Sequence, residues 1–139
     1  MRLLKDNDFK TFEQLCGCTQ GSLKATMSKY LRNKYTNVVE TKDYVYACGD
    51  IPIALVAHLD TVFKQPAREV YYDRQKNVIF SPYGLGADDR AGVFAIIQIL
   101  KTGLRPHIIF TTDEEKGGIG AAALAALDCP FKDLKYMIE

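Results

Sequence analysis

Acidic side chains and one histidine follow or precede apolar segments at three places in this 139-residue chain. His58 and Asp60 come directly after the apolar run 51–57. Because residues two apart on an extended chain point the same way, both side chains should project from the end of a strand. A neutral imidazole is a good zinc ligand, and a nearby carboxylate can orient it. The alternative is a hydrogen-bonded pair that only ends the strand.

The second place is the glycine-flanked pair Asp88 and Asp89, at the start of the apolar segment 91–100. Two aspartates at a helix start can be simple caps, because the N-terminus of a helix favours negative charge. The segment behind them is so apolar, however, that its start must lie near the core. A carboxylate in that position favours a nearby cation.

The third place is the acidic run Asp113, Glu114 and Glu115, directly after the apolar segment 106–112. Solvated loop charges are one explanation. The other is that a metal neutralises one carboxylate while another transfers a proton. Because adjacent side chains point differently, Glu114 and Glu115 could divide these two roles.

The segments that position these groups alternate between helix and strand patterns. Helical spacing of apolar residues is found in 9–16, 23–31, 91–100 and 119–127, and strand patterns in 37–41, 44–48, 51–57, 69–73, 77–80, 106–112 and 134–138. This alternation predicts an α/β fold, a three-layer α/β/α sandwich with a mixed, partly parallel sheet. The three polar sites should then lie at the same end of the sheet. Residues 1–139 are long enough for a single domain.

Composition excludes several functional classes. The formal net charge is +1, which gives no electrostatic case for nucleic acid, and no apolar run approaches a membrane helix. We therefore expect a cytoplasmic protein without nucleic acid or membrane partners. The cysteines, Cys16, Cys18, Cys48 and Cys129, should be reduced, and their spacing makes a thiolate zinc module only a minor alternative.

Three segments in this order resemble the co-catalytic dinuclear zinc exopeptidases. They are AHLDTV at 57–62, LGADDRAGV at 85–93 and FTTDEEKGGIGA at 110–121. The chain looks closest to the peptidase T-like tripeptidases and their aminoacylase and carboxypeptidase relatives. It is also similar to cobalt- or zinc-dependent aminopeptidases that carry an Asp-Asp-Arg motif. The resemblance implies the N-terminal part of a catalytic domain that cleaves small peptides.

The resemblance also implies roles for individual residues. His58 matches a ligand of one metal, and Asp60 the carboxylate that supports this histidine. Asp88 matches the aspartate that bridges two metals, and the peptide bond after it matches a cis bond. Glu114 matches the general base, and Glu115 a ligand of the other metal. Two Zn²⁺ ions are implied, with Co²⁺ or Mn²⁺ as substitutes.

The chain departs from the family because it lacks part of the ligand set. The family has a later acidic ligand, a role that Glu139 could fill, and a distant histidine. The only other histidine here, His107, lies inside a predicted strand and is interpreted as structural. We therefore expect an apparently truncated zinc-dependent metallopeptidase with little or no activity as the isolated chain. The alternative is a catalytically incomplete homologue that binds a metal or a partner. A truncated sheet would also have an unpaired edge strand, through which two copies of the chain could form a homo-oligomer.

Overall fold

A five-stranded mixed sheet flanked by helices is the frame of the computed structural model, which describes residues 4–139. The helices are α1 (Asp6–Cys16), α2 (Gln20–Arg32), α3 (Ala87–Lys101) and α4 (Ile119–Ala125). The strands are β1 (Val38–Glu40), β2 (Tyr44–Ala47), β3 (Ile51–His58), β4 (Tyr71–Asp73), β5 (Val78–Phe80), β6 (Pro106–Thr111) and β7 (Tyr136–Ile138). A short 3₁₀ turn spans Glu114–Lys116.

The order of strands in the sheet is β1-β2-β6-β3-β7, and β4 and β5 form a separate antiparallel hairpin. Strand β3 runs parallel to both β6 and β7, whereas β2 is antiparallel to β1 and β6. The predicted α/β class with a mixed, partly parallel sheet is therefore confirmed. His58 pairs with Thr111, so the carboxyl ends of β3 and β6 lie side by side.

Helices cover both faces of the sheet because neighbouring residues of its central strands point to opposite sides. On one face, α2 and α3 pack against the sheet, and on the other face α4 and the segment before β7 do so. The first face contains Leu23, Leu31, Val93, Ile97, Leu55, Ala57, Ile108 and Phe110, and the second contains Ala54, Ile109, Leu124, Phe131 and Leu134. This gives three layers around β3 and β6.

Helix α3 is packed deeply, as its apolar sequence predicted. Val93, Ile96 and Leu100 repeat at helical spacing and are all nearly inaccessible to solvent. The helix begins at Ala87, before the predicted start at 91, but Asp88 and Asp89 have non-helical backbone angles. The peptide bond between these two aspartates is cis.

Other element bounds differ from prediction by a few residues. Strand β3 extends to His58 because its ladder with β6 continues to that residue, whereas β7 is limited to Tyr136–Ile138 because only these residues pair with β3. Helix α4 ends at Ala125, two residues earlier than expected. Within residues 4–139, no helix has the length and apolar character that crossing a membrane requires.

Candidate metal centre

His58 is the last residue of strand β3 and is buried. Its side chain has polar partners on both ring nitrogens. Nδ1 lies 3.2 Å from Asp60 Oδ1, and Nε2 lies 2.9 Å from Asp88 Oδ1. The ring is therefore held between one buried carboxylate and one exposed carboxylate.

Asp60 joins the end of β3 to the turn that follows β6. Its Oδ1 accepts a hydrogen bond from the backbone N–H of Glu114, and its Oδ2 accepts one from the N–H of Glu115, both at 3.0 Å. Only 7% of Asp60 is exposed, so these bonds satisfy a carboxylate that has almost no access to water. One side chain thereby positions His58 and both glutamates.

The acidic turn is also anchored from the side of α2. Asp113 adopts a left-handed backbone conformation, with φ 53°. Its N–H donates to Gln20 Oε1 at 2.9 Å, and its Oδ1 lies 2.8 Å from Lys116 Nζ. Hydrogen bonding to Lys116 lowers the pKa of Asp113 below its ordinary value. Asp113 therefore serves the structure of the turn and leaves Glu114 and Glu115 to face the centre.

Residue type alone allowed Asp88 and Asp89, at the start of α3, either to cap the helix or to face a cation. In the structure the two side chains differ. Asp89 caps the helix, because its Oδ1 accepts a hydrogen bond from Gly92 N–H at 2.8 Å. A Cβ on Gly92 would lie 2.4 Å from both carboxylate oxygens of Asp89, so glycine makes room for this cap. Burial raises the pKa of Asp89. Asp88 instead turns towards His58, with 86% of its side chain exposed.

Three predicted ligands converge. One donor atom each of His58, Asp88 and Glu115 lie within 4.8 Å of one another. These three residues line a cavity of about 420 Å³ together with Asp89, Glu114 and Glu139. The structure therefore brings every predicted ligand and Glu114 to one place, with Asp60 directly behind them.

The charges of this cavity suit a cation. Burial lowers the pKa of His58, but the hydrogen bond with Asp88 and the negative charges of Asp60 and Asp89 outweigh it, so the net pKa is raised above its ordinary value. Among the described residues, the lining consists of one imidazole and five carboxylates, with no lysine or arginine. Nitrogen and oxygen donors of this kind fit a divalent metal such as zinc.

His107 lies away from this cluster, near the start of β6. The ring is 4% exposed, accepts a hydrogen bond from Gly49 N–H at Nδ1 over 3.0 Å, and packs against Phe131 with ring centroids 4.5 Å apart. Burial lowers its pKa, so the ring is neutral at pH 7. These contacts agree with its interpretation as a structural histidine.

The four cysteines are free and none lines the acidic cavity. Cys16 is buried at the end of α1, and burial raises the pKa of its thiol to about 11. Cys18 donates a hydrogen bond from Sγ to the carbonyl oxygen of Gln14. Cys129 is exposed.

Arg90 is a positioning residue to which the sequence motifs gave no role. It is 3% exposed, and its guanidinium donates to the carbonyl oxygen of Leu59 and, at 3.0 Å, to that of Cys18. It thereby ties the junction between α1 and α2 to the residue between His58 and Asp60. A signal was present in the sequence: a basic residue near the start of an apolar helix is disfavoured by the helix dipole and needs a specific acceptor.

Comparison with known proteins places this fold. No protein-family model and no curated protein matches the chain. Among solved structures, it is similar to a tripeptidase from Staphylococcus aureus (23% identity, TM-score 0.68) and to the aminopeptidase PepT from Bacillus cereus (24%, 0.58). It is also similar to an aminoacylhistidine dipeptidase from Vibrio alginolyticus (16%, 0.72).

These likenesses cover 93%, 91% and 97% of this chain but only 42%, 40% and 32% of the respective structures. The chain thus spans less than half the length of each protein that it resembles. At these identities the comparison establishes the fold. The chain therefore has the fold found in part of these tripeptidase, aminopeptidase and dipeptidase structures.

Proposed function

We propose that this chain forms the metal-binding part of a zinc-dependent metallopeptidase, amino- or tripeptidase-like, that hydrolyses short peptides. The observation that carries the proposal is the convergence of donor atoms from His58, Asp88 and Glu115 within 4.8 Å. The chain brings these residues together from the end of β3, the start of α3 and the turn after β6. The similarity to a tripeptidase, an aminopeptidase and a dipeptidase supports short peptides as the substrate class.

The proposed ligands are His58 through Nε2 and the carboxylates of Asp88 and Glu115, with Glu139 as a further acidic ligand from the same cavity. By resemblance, Asp88 would be shared by two metal ions. Zinc suits this mixture of imidazole and carboxylate, and Co²⁺ or Mn²⁺ can use the same donors. When bound, such a metal supplies Lewis acidity and lowers the pKa of a bound water towards ~7.

The chain's own residues then have distinct tasks. Asp60 accepts a hydrogen bond from His58 Nδ1, so a metal would bind at Nε2, in place of the proton that Nε2 shares with Asp88. Asp60 also holds Glu114 and Glu115 through their N–H groups, so that one support orients both glutamates. Glu114 is the general base. It takes a proton from the attacking water and passes that proton to the leaving amine.

We expect the isolated chain to show little or no peptidase activity. It offers one imidazole at the centre, because His107 is engaged elsewhere and the sequence holds no third histidine. The same observation favours a second candidate function, a catalytically incomplete homologue that binds a metal or a partner. Reduced cysteines would suit either function in the cytoplasm.

Zinc titration by isothermal calorimetry, followed by peptide hydrolysis assays, tests this proposal. The wild-type chain should bind zinc, and His58→Ala should weaken binding strongly, whereas His107→Ala, the matched control, should leave zinc affinity intact. Hydrolysis of a di- and tripeptide panel in excess Zn²⁺ is then expected to show little or no turnover by the chain alone, a result that agrees with both candidates. Robust turnover that Glu114→Gln abolishes would support the peptidase, contradict the incomplete homologue and show that another group completes the ligand set. A chain that binds no zinc contradicts the peptidase and also the metal-binding form of the incomplete homologue.

A further inference from the structure

A second cavity, of about 530 Å³, adjoins the candidate metal centre. Glu115 lines both cavities, and Asp60, which holds the N–H of Glu115, lines the larger one. The remaining walls come from the junction of α1 and α2, the loop 61–67 and the residues just before α3. A ligand whose reacting group lies at the metal centre would therefore have this cavity beside it.

One side of the cavity is an apolar wall that the structure holds in place. The loop 61–67 is tied to α1, because Ala67 N–H donates to the carbonyl oxygen of Cys16 at 3.0 Å. Phe63 packs onto Gly84, where φ is +102° and a Cβ would lie 2.3 Å from the ring. Leu85 extends the same wall. Phe63 is nevertheless 45% exposed, so its ring presents apolar surface to an incoming ligand.

The acidic residues of this cavity already have partners. Asp60 accepts two backbone N–H groups, and Asp113 is paired with Lys116 and hydrogen-bonded to Gln20. Glu115 belongs to the proposed metal centre. The side chains of Asp60 and Asp113 are therefore held by contacts within the chain.

Two basic residues of the cavity are less fully engaged. The ammonium group of Lys64 makes no hydrogen bond or ion pair within residues 4–139. Arg90 is 3% exposed, and its Nε has no hydrogen-bond partner in the same part of the chain. Lys64 is therefore a cation of the cavity that has no ion-pair partner among the described residues, and it lies beside an apolar wall.

We propose that this cavity binds the carboxylate-bearing end of a short peptide, with the carboxylate at Lys64 and the apolar body against Phe63 and Leu85. The inference rests on the proposed function, because it places the scissile bond at the metal centre. A cavity of about 530 Å³ lies within the range of small-ligand sites. With the carboxylate fixed at Lys64 and the scissile bond at the metal centre, the length of peptide between these two points would be limited. The site would thus select short peptides.

Binding of three tripeptides to the zinc-loaded chain tests this inference. The peptides are Ala-Ala-Phe with a free carboxylate, its C-terminal amide, and Ala-Ala-Asp amide. The Glu114→Gln background keeps them intact during calorimetry. The free acid should bind about threefold to fivefold more tightly than the Phe amide, the range expected for one exposed ion pair. If Ala-Ala-Asp amide matches the free acid, a side-chain carboxylate also fills the site, and if it binds like the Phe amide, the C-terminal carboxylate is the group recognised.

Lys64→Ala should remove the preference for the free acid, whereas Lys132→Ala, an exposed lysine beside a different cavity near His107, should retain it. Backbone amide NMR shifts of residues 62–64 should respond to the free acid even without zinc. Equal binding of acid and amide, or a preference that survives Lys64→Ala, overturns the inference. Zinc affinity, measured on the same variants, reports separately on the proposed function. A chain that binds zinc but does not prefer the free acid would contradict the proposed carboxylate site and leave the proposed metal-binding function standing.

Discussion

Asp60 Oδ2 accepts the backbone N–H of Glu115 at 3.0 Å, although 55 residues separate them along the chain. The same carboxylate contacts His58 Nδ1 at 3.2 Å. A single buried side chain thus sets the relative position of a proposed nitrogen ligand and a proposed oxygen ligand.

Replacing this carboxylate should weaken metal binding without removing a ligand. In Asp60→Asn, one oxygen becomes an NH₂ group, which cannot accept a backbone N–H. Zinc affinity should fall about 10-fold to 100-fold, the usual range for residues that support metal ligands. Calorimetric titration measures this change. An unchanged affinity in a folded variant would show that the geometry of the centre does not depend on Asp60.

Glu114 and Glu115 should respond differently to the same substitution. Glu115→Gln removes a proposed ligand and should lower zinc affinity, whereas Glu114→Gln should leave it within about twofold of wild type, because Glu114 is proposed to move a proton rather than bind metal. Parallel zinc titrations make the comparison. Equal losses in both variants would mean that the two roles are not divided between these neighbours.

Arg90 should matter for stability. Arg90→Met removes the donors that satisfy the carbonyl oxygens of Leu59 and Cys18, and it should lower the free energy of unfolding by about 2–4 kcal/mol. Urea denaturation followed by circular dichroism measures this loss. Arg32→Met is a suitable control, since the Arg32 side chain is 53% exposed in its ion pair with Glu40. Similar losses of stability in the two variants would mean that the hydrogen bonds of Arg90 to Leu59 and Cys18 contribute no more than an exposed ion pair.

The buried Cys16 thiol should make the free energy of unfolding fall as the pH becomes alkaline. Its thiol has a pKa of about 11 in the folded chain against 9.0 ordinarily, so the unfolded chain loses this proton first. The stabilisation of the folded chain by the neutral thiol is therefore complete below pH ~9 and is lost as the pH rises towards ~11. Urea midpoints for wild type and Cys16→Ala should therefore converge across this window. Midpoints that stay parallel would contradict the buried, protonated thiol.

The same burial predicts an order of thiol reactivity. At pH 8, Cys129 should react rapidly with Ellman's reagent because it is exposed, whereas Cys16 should react only on unfolding. Cys129→Ser should remove the fast phase. A fast phase that persists in this variant would assign the exposed thiol to another cysteine.

Much of this arrangement was predictable from local sequence patterns. The apolar runs before His58 and Asp113 predicted strands whose polar ends lie at the same end of the sheet, and the parallel pairing of β3 with β6 brings those ends side by side. The strand bounds were less predictable, because they depend on pairing. Strand β7 contains only three paired residues, although the apolar pattern before it begins at Leu134.

Long-range hydrogen bonds left little trace in the sequence. The bond from Asp113 N–H to Gln20 joins residues 93 apart, and nothing in the sequence around Gln20 marks it as a partner of the acidic turn. Residue type and spacing alone did not separate Asp88 from Asp89, since either could cap the helix, and only the family resemblance pointed to Asp88 as the ligand. Only the structure shows that Asp89 bonds to Gly92 while Asp88 turns to His58.

Whether His58, Asp88 and Glu115 bind zinc can be seen in a crystal structure of the chain soaked in Zn²⁺, with anomalous diffraction recorded on both sides of the zinc absorption edge. We expect an anomalous peak between His58 Nε2 and the carboxylates of Asp88 and Glu115, at metal–ligand distances of about 2.0–2.2 Å. Strong zinc peaks found only elsewhere, at the cysteines or at His107, with none at these three residues, would contradict this expectation.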